Sequence, residues 1–175
     1  DTLSGEDGAD IILGDGGSVT RDAADTILLV LTALAGYGGD DLLYGNAGND
    51  HLLGGTGDDR LEGHAGADVL IGDNGSICRN SASNDIATAD PQSGGGDRII
   101  GGEDDDLAIG GSGGDDTRGV GGDTLEGNDG NDILVGDGAS VQRDAADVIL
   151  LVSSADPAFG GDDDLYGNDG DDHLM

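Results

Sequence analysis

The sequence predicts an all-β fold, a right-handed parallel β-roll (a solenoid) that carries β-hairpin-like inserts. Three observations predict it. Aspartate recurs in a nine-residue frame with fixed glycines and a fixed leucine. A longer period of inserts interrupts that frame. The apolar side chains are too few for an ordinary core: Leu, Ile, Val and Phe are about a fifth of the 175 residues, against 38 acidic and 6 basic side chains and a net charge of −32. That balance is close to the composition that leaves a chain disordered.

The frame is clearest where Gly36–Tyr44, Gly45–Leu53, Gly54–Glu62 and Gly63–Ile71 follow one another, with Gly at positions one and four, Asp at six and Leu at eight. Gly5–Leu13, Gln92–Ile100, Gly101–Ile109, Arg118–Glu126, Gly127–Val135, Ala158–Tyr166 and Gly167–Met175 keep the Asp register. Each unit reads as a glycine-rich turn ending in Asp, followed by a three-residue strand. Position eight points inward, so Leu43, Leu52, Leu61, Leu70, Ile99, Leu125, Ile133 or Leu134, Leu165 and Leu174 are expected to form two thin ladders between the sheets. Between Gly110 and Thr117 one unit is a residue short, which predicts a kink or a weakened site.

Gly14, Gly72 and Gly136 each start a turn that then abandons the Asp at position six, which puts the sites beside them in doubt. The inserts span 18–35, 76–91 and 140–157 and separate the regular stretches 1–17, 36–75, 92–139 and 158–175. Each carries Arg at the same place: Arg21, Arg79 and Arg143. A polar turn around Asp22–Asp25 and the apolar Thr26–Leu31 read as a hairpin with a return strand. The rival is a short helix from Ala23 to Ala35 capped by Asp22. Residues 1–53 and 123–175 match at about two-thirds of positions, the mark of a duplicated two-block unit. Asp1 falls at position six and Met175 at nine, so the chain is expected to be one elongated domain, 1–175, cut from a longer array.

Something cationic must neutralise such a chain, and six thinly spread Arg do not. Divalent ions do: roughly ten Ca²⁺ would cancel most of the excess, and their binding energy would become folding energy. Ca²⁺ takes six to eight oxygen ligands from carboxylates and carbonyls, and glycine lets a turn aim its carbonyls inward. The expected ligands are Asp1, Asp10, Asp41, Asp50, Asp59, Asp68, Asp97, Asp106, Asp115, Asp123, Asp132, Asp163 and Asp172. With two nonapeptides per coil, turns n and n+2 stack and share an ion. The expected pairs are Asp41 with Asp59, Asp50 with Asp68, Asp97 with Asp115, and Asp106 with Asp123.

On these residues the chain resembles the RTX, or hemolysin-type, calcium-binding repeat proteins, whose pattern is GGxGxDxUx. The inserts resemble the longer variant repeats of very large secreted RTX proteins. The resemblance implies bacterial type I secretion of an unfolded chain that folds on meeting extracellular Ca²⁺. The sequence departs from the pattern where Asn46, His64, Asn128 and Asn168 replace Gly at position two, and where Gln92 and Ala158 replace it at position one.

The absence of a basic stripe argues against nucleic acid, and the longest apolar run, Ile27–Leu31, is far below a transmembrane segment. Cys78 has no partner for an internal disulfide and is expected to be buried or half-buried. His51, His64 and His173 are expected at solvated positions rather than in a transition-metal site. Tyr44 and Tyr166 are expected to be partly buried. No Ser–His arrangement suggests a nucleophile, so the chain is read as non-enzymatic. The leading reading is a calcium-stiffened structural segment of a secreted or cell-surface protein, an adhesin, surface-layer or filament rod with possible self-association through the inserts. The alternative is the calcium-binding carrier region of a secreted protease or lipase. Ice binding is weak because Thr56 is the only Thr at position three of a regular turn, and plain Ca²⁺ buffering leaves the inserts unexplained.

Overall fold

Each Gly–Asp turn reverses the chain so tightly that successive strands stack instead of extending. Gly48 shows why glycine is needed: its φ is 133°, and a β-carbon there would run into the Gly8 carbonyl of the neighbouring coil. The residues replacing Gly at position two keep a left-handed backbone, with φ of 78° at Asn46, 79° at His64, 80° at Asn128 and 73° at Asn168. Asn is among the side chains that best tolerate that region, so these departures leave the turn intact.

The computed structural model describes residues 1–32, 37–79, 84–89, 94–112, 122–155 and 160–175. Six coils follow one another. The first has β1 (Thr2–Asp7) and β2 (Ile11–Leu13), then a hairpin of β3 (Gly17–Arg21) and β4 (Ile27–Thr32). The second is β5 (Leu42–Ala47) and β6 (His51–Gly55). The third has β7 (Arg60–Ala65) and β8 (Val69–Asp73), then a hairpin of β9 (Gly75–Cys78) and β10 (Asn84–Thr88). The fourth is β11 (Arg98–Glu103) and β12 (Leu107–Ile109). The fifth has β13 (Thr124–Asp129) and β14 (Ile133–Val135), then a hairpin of β15 (Ala139–Arg143) and β16 (Ile149–Ser154). The sixth is β17 (Asp164–Asp169) and β18 (His173–Leu174). The described residues contain no helix, and none is long and apolar enough to cross a membrane.

Three six-stranded sheets result. The outer parallel sheet runs β1-β5-β7-β11-β13-β17 and the middle parallel sheet β2-β6-β8-β12-β14-β18. The hairpins join edge to edge into a third, antiparallel sheet, β3-β4-β9-β10-β15-β16. The middle sheet is therefore covered on both faces. Ile12, Leu43, Leu52, Leu61, Leu70, Ile99, Leu125 and Leu134 form the core against the outer sheet. Leu53, Ile71, Leu107, Ile109 and Val135 meet Val30, Ile77, Ile86 and Val141 of the hairpin sheet in a second core. The hairpin reading holds over the helix, because β4 occupies Ile27–Thr32.

The turns of the first and third hairpins are fixed by one aspartate each. Asp22 Oδ1 accepts the N–H of Ala24 at 2.8 Å and of Thr26 at 2.9 Å, and Asp144 Oδ1 accepts those of Ala146 at 2.7 Å and Val148 at 3.0 Å. Asp25 and Asp147 then turn the chain with φ of 67° and 62°. Both hairpins carry a bulge just before the turn, at Thr20/Arg21 and Gln142/Arg143.

Several sequence expectations change. Leu134, not Ile133, faces the inner core. Leu174 is 46% and Tyr166 49% exposed, because both lie on the terminal coil. The spacing between stacked aspartates across the segment after Gly110 is 26 residues, against 18 for a plain coil, and the short unit expected there lies mostly outside the described residues. Asp97 therefore stacks on Asp123, and Asp106 on Asp132 rather than on Asp123. Asp115, with its expected pairing to Asp97, lies outside the described residues.

Candidate metal centre

Two aspartate ladders run along the edges of the roll, one on each set of turns. On the edge between outer and middle strands, the backbone N–H of Asp10 donates to Asp50 Oδ1, Asp50 to Asp68 and Asp68 to Asp106, each at 2.8 Å. Asp106 continues to Asp132 at 2.9 Å and Asp132 to Asp172 at 3.0 Å. On the opposite edge Asp41 donates to Asp59, Asp59 to Asp97 and Asp97 to Asp123 at 2.8 Å, then Asp123 to Asp163 at 2.9 Å. The Asp1 ammonium contacts Asp41 Oδ1 as the first rung. Twelve of the thirteen sequence-derived aspartates are thus brought into two rows.

One carboxylate oxygen serves the ladder and the other does not. Oδ2 of Asp10, Asp41, Asp50, Asp59, Asp68, Asp97, Asp106, Asp123 and Asp132 is buried without a hydrogen-bond partner. A buried carboxylate oxygen left unpaired is costly, so these nine, five on one ladder and four on the other, need cations. Among the described residues no three His, Cys, Asp or Glu side chains converge on one point. Turn carbonyls border the same space as these oxygens, as the Gly63 carbonyl and Asp50 Oδ2 do at Gly45, and carboxylate plus carbonyl oxygen is a donor set that suits Ca²⁺. Glycine at position one makes room for it: a β-carbon at Gly45 would strike Asp50 Oδ2, and at 2.9 Å the Gly63 carbonyl oxygen.

Crowding raises the carboxyl pKa values. Burial pushes Asp59 and Asp68 up to about 7 and Asp106 and Asp123 up to about 8, with neighbouring aspartates adding to it. Asp97 is raised well above the ordinary range by burial and by Asp73 and Asp123. Asp50, Asp132 and Asp163 are raised as well, chiefly by burial.

The turns opened by Gly14, Gly72 and Gly136 do have their aspartate. A β-carbon on these glycines would run into the carboxylates of Asp41, Asp97 and Asp163, as one on Gly54 would into Asp59. Each hairpin is thus looped out from inside a single turn, and the aspartate arrives after the return. The ladder spacing of 38 or 40 residues across these turns records the loop.

A further acidic set escaped the sequence reading. Asp15, Asp73 and Asp137 stand at position two of the three insert-opening turns, where the recurring Gly-Asp pair was the available signal. Asp73 is buried, accepting the Gly95 N–H on Oδ1 at 3.1 Å and the Ser112 N–H on Oδ2 at 2.5 Å. Its pKa rises to about 7, mainly through burial. Asp15 Oδ2 accepts the Thr56 N–H at 2.6 Å. Asp15 and Asp73 thus tie the roots of the first and second hairpins to a neighbouring coil.

At the other end, the hairpin tips meet the opposite edge across a cleft of about 570 Å³ between middle and hairpin sheets. There Asp147 lies 3.3 Å from Arg79 and 3.5 Å from Arg143. His51 is half-buried, not solvated, with Nε2 3.4 Å from an Arg79 nitrogen, and burial lowers its pKa to about 4. His64 stacks on Tyr44 with centroids 6.1 Å apart, and His173 is exposed. Cys78 is half-buried on β9.

A family model described as RTX calcium-binding nonapeptide repeat, in four copies, matches residues 1–20, 33–59, 44–76, 117–140 and 158–175. Neither curated proteins nor solved structures gave a match.

Proposed function

Because the chain belongs to the RTX calcium-binding nonapeptide repeat family, whose repeats bind several Ca²⁺ ions, we propose that it is a calcium-stiffened structural segment of a large secreted or cell-surface protein, an adhesin, surface-layer or filament rod. Its ligands are the carboxylates of Asp1, Asp10, Asp41, Asp50, Asp59, Asp68, Asp97, Asp106, Asp115, Asp123, Asp132, Asp163 and Asp172, with turn carbonyls completing each site. Its role is mechanical and non-catalytic, and it works outside the cell, where Ca²⁺ is abundant.

The hairpin sheet carries this reading. A carrier region behind a protease or lipase needs only plain turns, whereas here a whole second core is added on the outer face of the middle sheet. That core thickens the roll from two layers to three and resists bending between coils. Calcium titration followed by circular dichroism tests the calcium dependence, with a gain of β signal and a fall in radius of gyration expected. A chain equally folded in chelator would refute it. A protease or lipase domain joined directly to these repeats would favour the carrier reading instead.

A further inference from the structure

The middle and hairpin sheets close on each other at the hairpin roots and part towards the tips. At the root end of the middle strands Leu53, Ile71, Ile109 and Val135 are fully buried. At the other end Ile11, Val69 and Ile133 begin β2, β8 and β14 and are only partly buried, as are Ile27 of β4 and Ile149 of β16. These five line the cleft of about 570 Å³, a volume in the range of small-molecule sites. Apolar walls left open to water are unfavourable, and a chain so short of apolar side chains has few to leave uncovered.

One guanidinium sets the polarity of the cleft. In the first and third hairpins an aspartate stands four residues after the arginine, and the two side chains meet: Arg21 with Asp25 at 3.8 Å and Arg143 with Asp147 at 3.5 Å. In the second hairpin the residue four after Arg79 is Ser83. Arg79 lies instead 3.3 Å from Asp147, the carboxylate that Arg143 also contacts. Arg79 Nε is buried with no hydrogen-bond partner among the described residues. The hairpin side of the cleft therefore sets Arg79 and Arg143 against Asp147 alone. Across from it lie Asp10, Asp68 and Asp106, which are proposed calcium ligands, and the exposed Asp105.

We propose that this cleft binds an alkyl monocarboxylate, its chain laid on Ile11, Val69 and Ile133 and its carboxylate against the Arg79 guanidinium. The proposal rests on the calcium reading, because bound ions neutralise the aspartate wall. Guanidinium and carboxylate match through charge-assisted, often paired hydrogen bonds, and the apolar walls take the methylene chain out of water. A single charge is what the site suits, since Asp105 and Asp147 beside it repel a polyanion. The carboxylate supplies Arg79 with the acceptor that its own hairpin lacks.

Isothermal titration of the full chain in millimolar Ca²⁺ with octanoate, hexanoate and octanol tests this. Octanoate is expected to bind saturably, one to one. Hexanoate should bind about fifteenfold more weakly, because each buried methylene changes affinity about fourfold. Octanol, without the charge, should bind about tenfold more weakly or less. Arg79→Gln should fall to the octanol level and Arg79→Lys should recover part of the loss, both with the calcium-induced circular dichroism of the wild type. His51 Nε2 lies 3.4 Å from an Arg79 nitrogen, so its ring resonances should shift with the same midpoint, while those of His64 on the outer sheet stay in place. The proposal is overturned if octanoate gives no saturable heat, if hexanoate or octanol binds as tightly, if Arg79→Gln keeps wild-type affinity, or if His64 moves with His51. Should Arg79→Gln fail to fold, the octanol comparison on the wild type decides. A circular dichroism signal indifferent to Ca²⁺ would refute the calcium reading, and the same heats would still judge the cleft.

Discussion

Each ladder aspartate has two tasks that lie on different oxygens. Asp68 Oδ1 accepts the Asp50 N–H at 2.8 Å, while its Oδ2 has no protein partner. Substitution separates the two. Asp68→Asn keeps an oxygen for the ladder bond and removes the charge, so the calcium midpoint should rise several-fold at little further cost. Asp68→Ala also strands the buried Asp50 N–H, which adds about 1–3 kcal/mol. Calcium titrations monitored by circular dichroism, with urea melts at saturating Ca²⁺, should rank wild type, Asn and Ala in that order. Equal effects of Asn and Ala would show that the ladder bond contributes nothing. At this scale the sequence was most informative, because Asp, Gly and Leu recur for local reasons: a ligand, a turn, an inward side chain. The role of Asp73 was hidden, since its partners Gly95 and Ser112 come from other coils.

At the scale of elements, the periodicity carried a second signal beside the inward leucines. Positions seven and nine are apolar in most middle-sheet strands, as at Ile11/Leu13, Val69/Ile71, Leu107/Ile109 and Ile133/Val135. In outer-sheet strands such as Arg60/Glu62 and Thr124/Glu126 the same positions are polar. Successive side chains of a strand face opposite sides, so that alternation marks a sheet with two buried faces. What the sequence left unsaid is that the inserts cover it jointly, because strand pairing between hairpins is a long-range event. Magnitudes decide what holds the hairpin sheet. The Arg79–Asp147 pair is partly exposed, and such pairs contribute about 0.2–1 kcal/mol. Ile77 is fully buried among Val30, Ile86 and their neighbours, and truncating such a side chain costs about 2–5 kcal/mol. Ile77→Ala should therefore lower calcium-loaded stability far more than Arg79→Ala in denaturant melts. The reverse order would mean that the charged tips, not the apolar face, fasten the hairpins.

For the molecule as a whole, stability is governed by how 38 acidic side chains are neutralised, and protons and Ca²⁺ compete for that task. Asp59 and Asp68 titrate near 7 and Asp106 and Asp123 near 8 in the fold, against 3.8 when exposed. The metal-free fold thus binds protons more tightly than the unfolded chain, so protonation favours folding. That contribution is fully present below pH 3.8 and is lost as pH rises through about 7 to 8. Without metal, the β signal should therefore fall steadily from acid to pH 8. Ca²⁺ binds the ionised carboxylates, so its affinity should change in the opposite direction, weakening as pH drops below about 7. Mg²⁺ at the same concentration should fold the chain poorly, because it demands octahedral geometry and gives up water reluctantly. A matrix of circular dichroism spectra over pH, in chelated, Mg²⁺ and Ca²⁺ solutions, reads all three effects. A metal-free chain that gains structure as pH rises would mean that the ladders do not stack their carboxylates in the absence of the ion.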